Sequence, residues 1–250
     1  GFMASRSYLA LFITDAVAST LTAIIVAIFI HETLPQRQEG EQPESMGTTF
    51  VGYLDAFKDR VFMVFLAAAV LVNMVYMQMN TTLSVYLRDV HGVPPQQYGW
   101  LISMNALLVV LFQFAITRRV KQFQPLYALA LGALLYAIGF GMFGVVGSFV
   151  LFVVAMLIIT LGEMIMVPIA QAVVAMLAPE AMRGRYMAVF GFSWAIPAMS
   201  GPLLAGMIMD NLNPDWVWYA AFITAGLAGS IYLWLSGKTR KLDADQVHVS

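Results

Sequence analysis

The 250-residue chain contains no cysteine, so it has neither a disulfide framework nor thiolate chemistry. It is also poor in charge. Only 11% of its residues are Asp, Glu, Lys or Arg and 60% are hydrophobic, against about 25% charged and about 45–50% apolar in a soluble domain. Such a composition suits a bilayer. The three histidines, His31, His91 and His248, fall outside the apolar runs, which leaves no ligand cluster for a membrane metalloenzyme. It also leaves no intramembrane base for the serine of "GFSW", Gly191 to Trp194, so a hydrolase nucleophile is excluded. No lysine lies within an apolar run, which rules out a retinal Schiff base, and Gly-rich phosphate loops are lacking. No enzyme activity, metal, cofactor or nucleic-acid partner is expected.

What the sequence does have is seven span-length apolar runs, at about Tyr8 to Ile30, Val61 to Leu87, Tyr98 to Ile116, Leu126 to Val146, Val150 to Met176, Tyr186 to Met209 and Val217 to Leu235. A spanning helix needs about 20 such residues, so the fold class is an all-α polytopic membrane protein with seven transmembrane helices. If the connections alternate sides, Arg37, Lys58, Arg60, Arg118, Arg119, Lys121, Arg183, Arg185, Lys238, Arg240 and Lys241 share one side, and only Arg6 and Arg88 lie on the other. The positive-inside rule makes the rich side cytoplasmic. The first span then starts outside, and it lacks the basic flank and cleavage site of a signal peptide. An odd span count without an initiator Met suggests a chain whose beginning is missing; a complete seven-span protein is the alternative.

The organisation read from these runs is a first span at 1–30, a linker at 31–60, a six-helix block at 61–236 and a cytoplasmic tail at 237–250. The Pro-, Gln- and Glu-rich first half of the linker is a solvated segment. In its second half Phe50, Leu54, Phe57 and Val61 recur with helical spacing behind the caps Thr48 and Thr49, which predicts an interfacial amphipathic helix. Small residues recur every fourth position at Ala133, Ala137 and Gly141 and at Ala221, Ala225 and Gly229, a spacing that lets membrane helices approach closely. Pro168, Pro197 and Pro202 fall inside spans, where each removes a backbone donor and kinks or opens the helix.

The polar residues inside the spans form stripes. Thr160, Glu163 and Gln171 share one face of their helix, Asn73, Tyr76 and Asn80 with Met77 alongside form a second, and Asn105, Phe112 and Gln113 a third. Glu163 sits mid-span in "GEMIMVP", Gly162 to Pro168. A charge at a helix centre costs about 2.5–3.5 kcal/mol on insertion scales, so Glu163 is expected to face the bundle interior or a watery cavity. It is a proton-coupling candidate there, or else a neutral packing group bonded to a neighbouring helix. Asp15, on a stripe with Ser19 and Thr22, is the second proton-coupling candidate.

One stretch, "TLGEMIMVPIAQAVVAMLAPEAMRGRYMAVFGFSWAIPAMSGPLLAGMIMD" from Thr160 to Asp210, resembles the tenth and eleventh spans of the major facilitator superfamily and the loop between them, in its bacterial drug/proton antiporter branch. "TLSVYLRDVHGVPPQQYGWLISMNALLVVLFQFAITRRV", Thr81 to Val120, is similar to the same family, as is the long linker. The resemblance implies that Tyr8 to Ile30 is a sixth span and that the other six form the C-terminal six-helix bundle of a major facilitator fold. It implies a missing N-terminal six-helix half as partner, and small-molecule substrate and protons as cargo. The loop holding Arg118, Arg119 and Lys121 departs from the family's gating motif, lacking its Gly and Asp-Arg core. Together with Arg183 and Arg185 these cations are expected at a cytoplasmic gate, or else only to set topology and bind anionic lipid. The activity implied is proton-coupled export of amphipathic organic compounds, with Met77, Phe192 and Trp194 as adaptable apolar contacts. The alternatives are a symporter or facilitator for sugars, peptides or metabolites, and a seven-span receptor or scaffold.

Overall fold

The computed structural model describes residues 8–29 and 53–247. The chain divides into two units, Gly1–Met46 and Gly47–Ser250. In the first, α1 (Tyr8–Phe29) is a single helix. Its Thr20 and Thr22 hydroxyls donate to the carbonyls of Ala16 and Ala18 at 2.7 and 2.9 Å, which satisfies polar groups within the helix itself.

Every element among the second unit's described residues is a helix. Residues 53–58 form α2, which buries Ala56 and exposes Leu54 and Phe57; Thr48, Thr49 and Phe50 of the expected linker helix lie outside the described residues. Then follow α3 (Arg60–Asn80), α4 (Leu83–His91), α5 (Pro95–Val120), α6 (Pro125–Phe143) and α7 (Phe149–Leu177), and after one 3-10 turn α8 (Arg183–Phe190), α9 (Phe192–Asn211) and α10 (Trp216–Val247). Local chemistry sets several of these boundaries. Asp59 caps α3 by accepting from the backbone N–H groups of Val61 and Phe62 at 3.0 and 3.1 Å. Proline opens α5 and α6, where its missing N–H costs nothing. Gly92 ends α4 at φ 64°, a left-handed conformation that glycine reaches without strain.

Among the described residues seven helices are long and apolar enough to cross a membrane, the number read from the sequence. Three details differ. The run from Val61 to Leu87 is broken at Thr81 and Thr82, whose hydroxyls bond to the Met77 carbonyl and the Gln78 side chain at 2.9 and 2.6 Å. Gly191 separates α8 from α9 within the run from Tyr186 to Met209. The segment expected as a tail continues α10 as helix to Val247.

In the second unit the helices pack as neighbours in the order α5, α7, α6, α10, α3, α9. Both small-residue series lie on the α6–α10 seam. Ala133, Ala137, Ala221 and Ala225 are buried there, and a methyl on Gly229 would lie 3.5 Å from that of Ala133. A second seam joins α6 to α7, where a methyl on Gly162 would stand 2.7 Å from the Tyr136 ring and 3.1 Å from the Gly132 carbonyl. The two ends of the unit differ in charge: Asp59, Arg118, Arg119 and Arg183 mark one, while His91, Gly144 and Asp215 meet at the other.

Candidate functional site

Glu163 stands at the middle of α7, and three helices meet on it. The Tyr76 hydroxyl of α3 donates to one carboxyl oxygen at 2.9 Å. The Asn105 amide of α5 donates to the other at 2.8 Å and to the Thr160 hydroxyl at 3.0 Å. Thr160, fully buried, donates its own hydrogen bond to the Met156 carbonyl at 2.7 Å. The carboxyl group therefore accepts a hydrogen bond on each oxygen, from a different helix in each case. Small residues beside it make this possible, because Gly162 lets α6 come close enough for Tyr136 to stack on Tyr76 at 6.0 Å. Trp194 of α9 closes the group, edge-on to Tyr76 at 5.8 Å.

Next to this cluster Asn73, Tyr136, Val167, Gln171, Trp194 and Tyr232 line a cavity of about 30 Å³. That holds about one water molecule, far less than an organic substrate. Gln171 shares the stripe of Glu163 but stands two turns on, about 12 Å along the axis; it faces this cavity and makes no bond to the carboxyl.

Asn73 and Gln113 prove to have a specific local task. Proline cannot donate to the carbonyl four residues earlier, so Pro197 orphans the Ser193 carbonyl and Pro168 that of Met164. Asn73 donates to Ser193 O at 2.9 Å, and Gln113 donates to Met164 O at 2.9 Å. Each amide thus replaces the missing proline N–H and joins two helices by doing so, α3 to α9 and α5 to α7. The break after α3 is treated the same way, with the Tyr98 hydroxyl donating to the Met79 carbonyl at 3.0 Å.

The other sequence candidates lie elsewhere. Met77 faces α9 at Gly201, and Phe192 packs on Phe57 of α2 at 6.5 Å, whereas Asn80, exposed at the end of α3, reaches back to hydrogen-bond the Tyr76 hydroxyl at the edge of the cluster. Asp15 belongs to α1 of the first unit. Arg118 and Arg119 line a surface recess, and Arg183 stands 3.8 Å from the Glu180 carboxylate in an exposed pair. Two residues the stripes did not single out belong to the site: Tyr136, one of two tyrosines in an otherwise apolar span, and Ser193, weighed in the sequence only as the serine of "GFSW" and standing four residues before a proline. Among the described residues no group of His, Asp and Glu could hold a metal ion.

Comparison with known proteins adds the family. Residues 82–248 match the model of the Major Facilitator Superfamily. A Na(+), Li(+), K(+)/H(+) antiporter of Planococcus maritimus is 28% identical over 247 residues, 90% of this chain and 58% of that protein. The uncharacterized MFS-type transporter YqjV of Bacillus subtilis (strain 168) is 26% identical over 86% of this chain and 52% of its own length. A shorter match, 26% identical over 46% of the chain, is to 26% of the multidrug efflux pump SdrM of Staphylococcus aureus (strain N315). The chain spans about half the length of the relatives that it matches along most of its own.

Proposed function

The chain belongs to the Major Facilitator Superfamily, a family of transporters and not of enzymes, and from that premise we propose that it is the C-terminal half of a proton-coupled exporter of amphipathic organic compounds. The observation that carries this reading is the Glu163 cluster. Ionised, Glu163 accepts from Tyr76 and Asn105 together. Protonated, one oxygen gains a proton to donate and accepts more weakly, so the hydrogen bond made to it changes. Binding a proton therefore rearranges the ties of α7 to α3 or α5. In a two-half transporter that rocks about a midplane site, such a change links the proton to the state of the bundle. Tyr76, Tyr136 and Trp194 line the same place with aromatic surface, which suits amphipathic or cationic cargo. With only about 30 Å³ enclosed beside the cluster, the space for cargo lies between this unit and an N-terminal half. Under this reading the basic end faces the cytoplasm of a bacterial cell.

The test compares wild type with Glu163→Gln in liposomes, using the complete gene product. Gln keeps shape and hydrogen bonding but cannot titrate. The expected result is loss of ΔpH-driven accumulation with counterflow exchange retained. Undiminished accumulation by the variant makes Glu163 a packing group and ends the proposal.

A second reading is exchange of alkali cations for protons. The similarity to the Planococcus antiporter over 90% of the chain favours it, as do the oxygen atoms of Glu163 and Thr160, both within 3.0 Å of the Asn105 amide nitrogen. Proton release driven by a sodium or lithium gradient, in the same liposomes without organic substrate, distinguishes the two.

A further inference from the structure

Two tyrosines on the α6–α10 seam are buried with their hydroxyls uncommitted. Tyr136 of α6 is 2% exposed and Tyr232 of α10 is 1% exposed. Their rings are well packed, Tyr136 against Tyr76 and Phe140 at 6.0 and 5.6 Å and Tyr232 against Phe65 at 5.8 Å. Their hydroxyls, however, make no hydrogen bond to any described residue. By contrast Tyr76, Tyr86, Tyr98, Tyr186 and Tyr219 all donate to a carboxylate or a backbone carbonyl. Nor are the two oxygens sealed in, since among the described residues the fully enclosed side-chain polar atom without a partner is the indole nitrogen of Trp218. They open on the cavity of about 30 Å³ that both tyrosines line.

Helix direction brings the two hydroxyls together. α6 begins at the end of the unit that carries Arg118 and Arg119, and α10 begins at the opposite end, beside Gly144, so the two helices are antiparallel. They touch where a methyl on Gly229 would lie 3.5 Å from that of Ala133. Tyr136 stands three residues beyond Ala133 and Tyr232 three beyond Gly229, which puts them on opposite sides of that contact, about 9 Å apart along the seam. A helical side chain leans toward the N-terminus of its own helix. In both helices that direction leads back to the contact, so the two rings lean toward each other.

We propose that this cavity is a binding site for one water molecule, which accepts a hydrogen bond from each tyrosine and so joins α6 to α10. The room suffices, because a water needs about 10–15 Å³ and two to four polar partners, and a buried hydroxyl left unsatisfied is costly. Asn73, the buried amide on the cavity, has committed its nitrogen to the Ser193 carbonyl at 2.9 Å. The proton count closes. Each tyrosine has one proton to donate, the water has two lone pairs to receive them, and its own protons remain for acceptors such as the amide oxygen of Gln171. Gln171 and Val167 are exposed where they line the cavity, which is where water enters. Alanine and glycine bring the two helices close and offer no side-chain hydrogen bond; the water supplies that polar tie. Every group involved is neutral, and the site does not depend on the transport reading.

The experiment is a double-variant cycle on the complete gene product in mixed micelles, read as Tm. Tyr136→Phe and Tyr232→Phe each delete one hydroxyl and keep the ring. Each alone is expected to lower Tm, because the water loses one anchor and the remaining hydroxyl is held less well. The double variant is expected to lose clearly less than the sum of the two losses, since it leaves no hydroxyl unsatisfied. Losses that add, as they do for groups without a shared partner, overturn the proposal. So does equal coupling of either variant to Tyr98→Phe, whose hydroxyl is spent on the Met79 carbonyl. A density map of the wild-type gene product that resolves ordered water is the second measurement. A peak within about 3 Å of both hydroxyls is expected; a map with ordered water elsewhere in the bundle and none there, or with the two hydroxyls bonded to protein groups, also overturns the proposal.

Discussion

If Asn73 stands in for the N–H that Pro197 lacks, its value must vanish once that N–H is restored. Asn73→Leu, similar in size and branching, leaves the Ser193 carbonyl without its donor at 2.9 Å. A buried polar group left unsatisfied costs about 1–3 kcal/mol, although hydrogen bonds between membrane helices measured by double-mutant cycles average about 0.6 and reach about 1.7 kcal/mol. Asn73 is 9% exposed and Ser193 fully buried, so little water can repair the loss and the upper part of the membrane range applies. In a Pro197→Ala background, the new alanine N–H donates to Ser193 O within α9. Asn73→Leu then removes a redundant bond, and the coupling between the two substitutions should be about 1–1.7 kcal/mol, the upper membrane range. The assay is unfolding of the complete gene product in mixed micelles, wild type against both single variants and the double. Pro202→Ala serves as control, because the carbonyl it restores is that of Ala198 and it should not rescue Asn73→Leu. An equal cost of Asn73→Leu in both backgrounds would refute the reasoning, since Asn73 would then matter only for its packing.

Two further outcomes follow from the structure. Gly162→Val should fold poorly, at a cost of about 1–3 kcal/mol or more, because the Tyr136 ring it strikes is fixed between Tyr76 and Phe140, at 6.0 and 5.6 Å; Gly226→Ala, with open space around it, should keep wild-type stability in the same mixed-micelle unfolding assay. The absence of native cysteine permits single-Cys mapping, in which Gln122→Cys is expected to react with an impermeant thiol reagent only after the membrane is opened and Gly147→Cys in intact cells; the reverse pattern refutes the topology.

The spans and the α6–α10 seam could be read from the sequence because both are repeated signals. Apolar length registers along a whole helix, and an Ala or Gly at every fourth position marks one face without reference to the partner. The break at Thr81 and Thr82 gave no such signal, since two threonines in an apolar run are as compatible with an unbroken helix, where their hydroxyls bond back to the preceding turn. What opens the chain there is a combination of contacts, including a tyrosine from α5 that takes up the Met79 carbonyl. The stripes placed Thr160 beside Glu163 correctly. They could not separate Gln171 from that pair, because sharing a face says nothing about depth along the axis.

Asn73 and Gln113 show most clearly where the sequence stops being legible. Both parts of each pair were visible, the amides on polar stripes and the prolines inside other spans, but which amide meets which orphaned carbonyl depends on how α3 lies on α9 and α5 on α7. Polar stripes in a membrane bundle thus hold two populations of side chain. One repairs backbone that proline has opened, as Asn73 and Gln113 do. The other converges on a group that has no backbone vacancy to fill, and here that group is the Glu163 carboxyl with Tyr76 and Asn105. A carboxyl at a helix centre carries a cost of about 2.5–3.5 kcal/mol and repairs nothing, so the bonds made to it offset the presence of the carboxyl itself. That asymmetry, more than the mere presence of a charge, separates Glu163 from its polar neighbours as the group whose removal should change transport before it changes folding.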